Sequence, residues 1–411
     1  MRSALIAASA LVLIVQTAGS QEERASRPDR VRAALDWIRA NESATLDGQV
    51  RLCEVPAPPF GERARAARFQ ELLRSAGMRN VRRDDAGNVV GEWPGRVARP
   101  TVVLAAHLDT VFPEGTNVQV RREGSTLRAP GIGDNCRGLA VLLAVARGLS
   151  AAGVQTEGTI ILAGTVGEEG LGDLRGARAL LTDTLKGRVD RFVAVDGSGY
   201  SITNIGVASR RYRVTFHGSG GHSYNNFGRA NPVHALGRAA ALIADLQVPS
   251  HPKTTFNIGR LGGGTAVNAL PTEAWMEIDL RSSDEAALNA LDKGIQESVA
   301  RAVALENARW NQNGAVTAKY ERVGDRFGGK TDERSPIVQT ALAVSKTLGI
   351  QVTLLEGSTD ANAAMQVNIP SIAIGGGGRG TGVHSLSESF DSRGSSLGSA
   401  RALLLAVELA R

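Results

Sequence analysis

The apolar positions of this chain change rhythm along its length. From Arg30 to about Ala76 the spacing is helical. "RVRAALDWIRA" and "ERARAARFQELLRSAG" each carry an apolar stripe, the second closed by Gly77, with the proline-rich "VPAPPFGE" between them. Short continuous apolar runs follow: "TVVLAA" (101–106), "TIILAGT" (159–165), "RFVAV" (191–195) and, much later, "PSIAI" (370–374). Helical stretches such as "LAVLLAVARGLSAAG" and "RGARALLTDTL" separate them. Unbroken apolar runs alternating with helices predict strands buried on both faces, hence an α/β fold with a mostly parallel sheet.

Between about Gly206 and Arg322 the rhythm differs. "SRRYRVTFHG" alternates, with Tyr212, Val214 and Phe216 on one face. The helix "NPVHALGRAAALIADL" comes next, then strand-like "TTFNIGRLGGG" and "EAWMEIDLRSS". The helix "DEAALNALDKGIQESVARAVA" and a final "AVTAKYERV" complete the segment. That order, β-α-β-β-α-β, predicts a small split-βαβ α+β domain over 207–322, inserted into a larger domain formed by 28–206 and 323–411. A length of 411 residues also favours two domains.

Composition narrows the partners. The formal charge of +6 comes from 47 basic and 41 acidic residues scattered along the chain, with no basic block interleaved with aromatics. Nucleic-acid binding therefore has little support. Residues 1–20, "MRSALIAASALVLIVQTAGS", carry Arg2, an apolar stretch and then small residues. This is the layout of a secretory signal peptide cut near Ser20, too short for a comfortable membrane span. The expectation is an exported protein, periplasmic or secreted, with no membrane attachment after cleavage. Export permits a disulfide, but sequence does not say whether Cys53 and Cys136 come within bridging distance, so two buried free thiols are expected.

The chemistry lies where the core strands end. "TVVLAA" runs into His107-Leu108-Asp109, "TIILAGTVG" into Glu168-Glu169, "RFVAV" into Asp196, and "PSIAI" through glycines to His384; Asp134 sits in the loop "GIGDN". Ligands of open α/β sheets bind beyond the carboxyl ends of strands, so these groups could share one crevice. Two imidazoles with several carboxylates suit Zn²⁺, and also Mn²⁺ or Co²⁺. The His-x-Asp spacing lets Asp109 hold the spare ring nitrogen of His107. Asp134, Glu169 and Asp196 bring three negative charges against the four positive charges of two divalent ions. Adjacent Glu168 and Glu169 point opposite ways, which allows one to bind metal while the other acts as a base.

Together "AAHLDT", "GIGDN", "GTVGEEG", "AVDG" and "VHSLSE" resemble, in order and spacing, the M20 family of dinuclear zinc peptidases and amidohydrolases. The resemblance implies a zinc-peptidase catalytic domain with a ferredoxin-like lid that is often a dimer surface. It implies two divalent ions, most commonly Zn: His107 and Asp196 on one, Glu169 and His384 on the other, Asp134 bridging. It makes Glu168 the general base toward a metal-bridging water, with Asp109 orienting His107. In the lid, His222 of "GSGGHSYN" would steady the oxyanion, Asn268 of "AVNALP" would lie beside it, and Arg281 of "EIDLRS" would bind a substrate carboxylate. It also implies a cis peptide after Asp134. Asp196 stands where carboxypeptidase and deacylase members often carry Glu, which favours a tripeptidase-like aminopeptidase acting on short peptides. Cys136 replaces a common lysine of the family, which leaves the exact subfamily open.

Rival readings are an N-acyl amino acid deacylase or carboxypeptidase on the same scaffold, and a non-catalytic exported peptide-binding protein. His217, His234 and His251 read as structural. "GSSLG" (394–398) mimics a serine-hydrolase elbow and "GGGGRG" (375–380) a dinucleotide loop, but neither has the required strand–turn–helix context.

Overall fold

The computed structural model describes residues 27–411; the expected signal peptide at 1–20 lies outside them. The larger domain is built on a nine-stranded sheet. Its centre is four parallel strands in the order Thr159–Thr165, Thr101–His107, Arg191–Val195, Ser371–Ile374. Their side chains alternate between two cores, with Val102, Leu104 and Ala106 packed to one side and Val103 and Ala105 to the other. That double burial explains the unbroken apolar runs. Helices Arg27–Ala40, Cys136–Ala151 and Ser395–Leu409 cover the first face, and Arg175–Ala179 and Ala361–Gln366 the second. "GSSLG" opens the helix Ser395–Leu409.

Antiparallel strands flank the parallel centre. Arg79–Arg83 and Val89–Trp93 add to one edge, and Ile202–Gly206 to the other. Arg79–Arg83 is largely exposed and charged, so it offers no apolar signature. The helix Glu42–Cys53 ends against the start of Cys136–Ala151. Cys53 and Cys136 lie 5.4 Å apart at Cα and form a disulfide. The expected free thiols are corrected: the meeting of two helix ends, invisible in the sequence, supplies the geometry.

The inserted lid is a four-stranded antiparallel sheet in the order Thr254–Gly263, Glu273–Ser282, Ala208–His217, Thr317–Arg326. Helices Pro232–Ala244 and Glu285–Arg309 pack on one face over Val214, Phe216, Met276, Ile278 and Leu280. The strand Glu273–Ser282 buries every second residue, as a sheet covered on one side requires. Each helix starts at a side-chain cap: Asn231 accepts from the Val233 N–H at 2.9 Å, and Asp284 from the Ala287 N–H at 2.8 Å. The last lid strand runs to Arg326, rather than stopping near 322. No helix among the described residues is long and apolar enough to cross a membrane.

Candidate metal centre

Parallel register sets the site. His107 pairs with Thr165 across neighbouring strands, so the loop that begins at Val166 leaves the sheet beside the histidine. The Asp196 N–H donates to the Ile374 carbonyl, which fixes the neighbouring strand end. His107, Glu168, Glu169 and Asp196 therefore emerge along one rim.

Asp134 arrives on the loop before the helix Cys136–Ala151, and Glu388 shapes that loop. Its buried carboxylate accepts the N–H groups of Gly131 (2.8 Å), Gly133 (2.9 Å) and Asp134 (3.0 Å). The Asn135 side chain accepts from Gly138 and Gly197 and donates to the Val195 carbonyl at 2.9 Å, tying the loop to the Asp196 strand. The Asp134–Asn135 peptide is cis, as the resemblance implied. His384 sits at φ 64°, a left-handed conformation uncommon outside glycine.

Two donor groups share Asp134. His107 Nε2 lies 2.9 Å from Asp134 Oδ1 and 3.6 Å from Asp196 Oδ1. His384 Nε2 lies 3.2 Å from Asp134 Oδ2 and 3.0 Å from Glu169 Oε1. One carboxylate thus faces both imidazoles with different oxygens. All five side chains expected to hold metal come together, and they group as His107–Asp134–Asp196 and Asp134–Glu169–His384.

Electrostatics tests whether cations suit this place. Hydrogen bonding to Asp134 and Glu169 pushes His384 up to about 10. Burial alone would depress His107, but hydrogen bonds to Asp109, Asp134 and Asp196 outweigh it and raise its pKa well above the ordinary value. Burial works against the charged form of Asp134 too, yet its bonds to His107 and His384 hold the carboxyl far below its ordinary value. The acids demand positive charge at the positions facing both imidazoles, and an N/O donor set of this kind fits two divalent cations.

Asp109 lies beneath His107. His107 Nδ1 is 3.1 Å from the Asp109 carbonyl and 3.7 Å from its carboxylate. The carboxylate instead accepts the N–H groups of Glu168 (3.1 Å) and Glu169 (2.8 Å). Asp109 therefore ties the histidine strand to the acidic loop, a link that the His-x-Asp spacing did not reveal.

Glu168 and Glu169, on the loop that follows the strand Thr159–Thr165, diverge. Glu169 turns to His384, while Glu168 meets Arg326 at 3.0 Å. Burial, reinforced by the charges of Glu169 and Asp196, raises the Glu168 carboxyl well above its usual range despite Arg326 and His107. Both acids line a cleft of about 380 Å³ with Asp134, Asp196, His384 and Arg281. Arg281 donates through Nε to Asp279 at 2.6 Å and lines the cleft.

The lid pair is elsewhere. His222 and Asn268 are neighbours on the short ladder Gly221–His222 with Ala269–Leu270, where Ser223 N–H donates to the Asn268 carbonyl at 3.0 Å. Both are exposed, and neither lines the cleft. His217, His234 and His251 also lie away from it. The sequence reading missed Arg326 and Glu388; Glu388 ends the quoted "VHSLSE", whereas Arg326 lay beyond the expected lid boundary in an unremarkable run.

The fold and site define a hydrolase of the α/β metallopeptidase type. The model of peptidase family M20/M25/M40 matches residues 103–408, well over half of the chain, and the chain belongs to this family. It is 25% identical over 303 residues to the uncharacterized protein YqjE of Bacillus subtilis (strain 168), covering 70% of this chain and 76% of that one. It is 28% identical over 250 residues to carboxypeptidase G2 of Pseudomonas sp. (strain RS-16), covering 57% and 58%. The structure of a tripeptidase from Staphylococcus aureus subsp. aureus Mu50 superposes with a TM-score of 0.73 at 22% identity, over 90% of this chain and 99% of that chain.

Proposed function

We propose that this protein is an exported exopeptidase of the tripeptidase-like aminopeptidase kind, acting on short peptides through two divalent ions, with Zn as the native metal. One observation carries the reading: two His/carboxylate groups share Asp134 at the floor of a cleft that also holds Glu168 and Arg281. His107 and Asp196 would hold one ion and Glu169 and His384 the other, with Asp134 between them. Bound there, such ions supply Lewis acidity toward an amide carbonyl and an attacking water.

The chain's own residues supply the rest. Glu168 accepts a proton from the attacking water, keeps it in the buried cleft, and returns it to the nitrogen of the leaving amine. Asp109 keeps His107 and the acidic loop in fixed relation. Arg281 offers paired donors to a substrate carboxylate. His222, with Asn268 beside it, donates to the oxyanion.

His222 stands outside the cleft, so we place it in service to a second copy, in a homodimer formed through the lid. The exposed Tyr224, Phe227 and Val267 around it support that reading. Export is supported by the disulfide, a bond favoured in oxidising compartments. The second reading is a deacylase or carboxypeptidase, favoured by the likeness to carboxypeptidase G2. Hydrolysis of a free tripeptide beside the same peptide with a blocked N-terminus separates the two. Cleavage of the free form alone, with release of its N-terminal residue, supports the proposal; release of the C-terminal residue from both forms replaces it with the carboxypeptidase reading, and cleavage of the blocked form alone with the deacylase reading.

A further inference from the structure

We infer that Arg326 is a positioning residue that fixes the carboxylate of Glu168 for proton transfer and ties it to the root of the lid. The inference rests on the reading of Glu168 as the base. Arg326 closes the last lid strand and is 4% exposed. Its Nη1 donates to Glu168 Oε1 at 3.0 Å and to Ser358 Oγ at 3.2 Å, and its Nη2 donates to the Glu168 backbone carbonyl. One planar guanidinium therefore grips both the side chain and the main chain of a single residue. The Glu168 N–H is taken by Asp109. With both backbone groups and one carboxylate oxygen occupied, the flexible side chain is confined before substrate arrives.

The grip belongs to a wider seam. Arg211, on the first lid strand, donates to the Gly170 carbonyl, and the Asp325 N–H donates to Asp173 at 3.2 Å. The loop from Glu168 to Asp173 is thus held by the strands that enter and leave the lid. A simple domain bolt would need only an acid on that loop. Asp173 provides one, yet it lies 3.8 Å from Arg326, farther than the Glu168 carboxylate. A buried guanidinium is costly unless its donors are used, and here the principal user is the proposed base.

The test uses the full metal-loaded chain. Arg326→Ala should lower kcat by about 10²-fold, the scale of an ångström of misplacement, with KM within about twofold and metal content unchanged. Arg326→Lys restores the charge but not the fork, so it should recover part of the loss. In a Glu168→Gln background, where turnover should be about 10²–10⁴-fold slower, adding Arg326→Ala should leave calorimetric affinity for the tripeptide unchanged. Lost affinity in that background, or a raised KM with normal kcat, assigns Arg326 to the substrate and overturns the inference. If Arg326→Ala does not fold, Arg326→Lys and Arg326→Gln carry the test, and wild-type kcat in both overturns it. Full activity of Glu168→Gln alone defeats the base reading instead, which keeps the two failures apart.

Discussion

The rim of the parallel sheet and the tip of the lid hold the residues proposed to act together by opposite means. At the rim, His107, Glu168 and Glu169 are buried, and the loops that carry Asp134 and the Glu168–Glu169 pair are fixed by a carboxylate or guanidinium from another element. At the tip, His222 and Asn268 stand exposed on a ladder of two residue pairs beside exposed aromatics. Preorganised metal ligands need a stiff scaffold. An oxyanion donor that must arrive with or after substrate does not. The rim comes together within one chain; in the proposed role, His222 would reach it only through lid movement or a second copy.

The largest effect expected falls on the rim. Glu168→Gln should cost about 10²–10⁴-fold in kcat while two metals per chain and the melting temperature are kept. Near-wild-type turnover would remove the base. At the tip, His222→Ala should cost about 10²–10³-fold, as loss of one oxyanion donor does. If His222 serves a second copy, mixing His222→Ala with Glu168→Gln should regain part of the turnover through mixed dimers. No regain at any ratio would place its action within one chain.

Stability changes come next. The Cys53–Cys136 link pins the start of the helix that follows Asp134. Replacing both cysteines by serine should destabilise the protein by about 2–4 kcal/mol, measured by denaturant unfolding. The smallest effect concerns Asp360, which is buried beside Thr165 and pushed up to about 6, chiefly by burial. An acid whose folded pKa is raised contributes most below its unfolded value near 4, and that contribution is lost as pH rises through about 6. In the metal-free protein, Asp360→Asn should therefore gain on wild type by up to about 3 kcal/mol near pH 8, and the gain should vanish near pH 4. A gain independent of pH would contradict this assignment.

Much of this comparison was legible in the sequence, and the remainder has physical reasons for being hidden. Runs buried on both faces marked the four central strands, and a change of period marked the lid. His107, Glu169 and Asp196 stood out because they follow those runs closely, whereas Asp134 and His384 stood out only through the motifs around them. Arg79–Arg83 escaped because an exposed, arginine-rich edge strand has no apolar pattern. The disulfide depended on where two helix ends meet. Asp109 was noticed for its spacing to His107, but its grip on the Glu168 and Glu169 amides depends on the approach of two loops 59 and 60 residues apart. Arg326 could be valued only once the lid strand was seen to run back to the cleft.

The central claim is that His107, Asp134, Glu169, Asp196 and His384 hold two divalent ions that the reaction needs. Metal analysis of the purified chain, paired with tripeptide hydrolysis before and after chelation, tests it most directly. The account predicts two ions per chain, one or none in Asp134→Ala, and activity that disappears with chelation and returns with Zn²⁺, Co²⁺ or Mn²⁺. Undiminished hydrolysis by protein stripped of metal would contradict it.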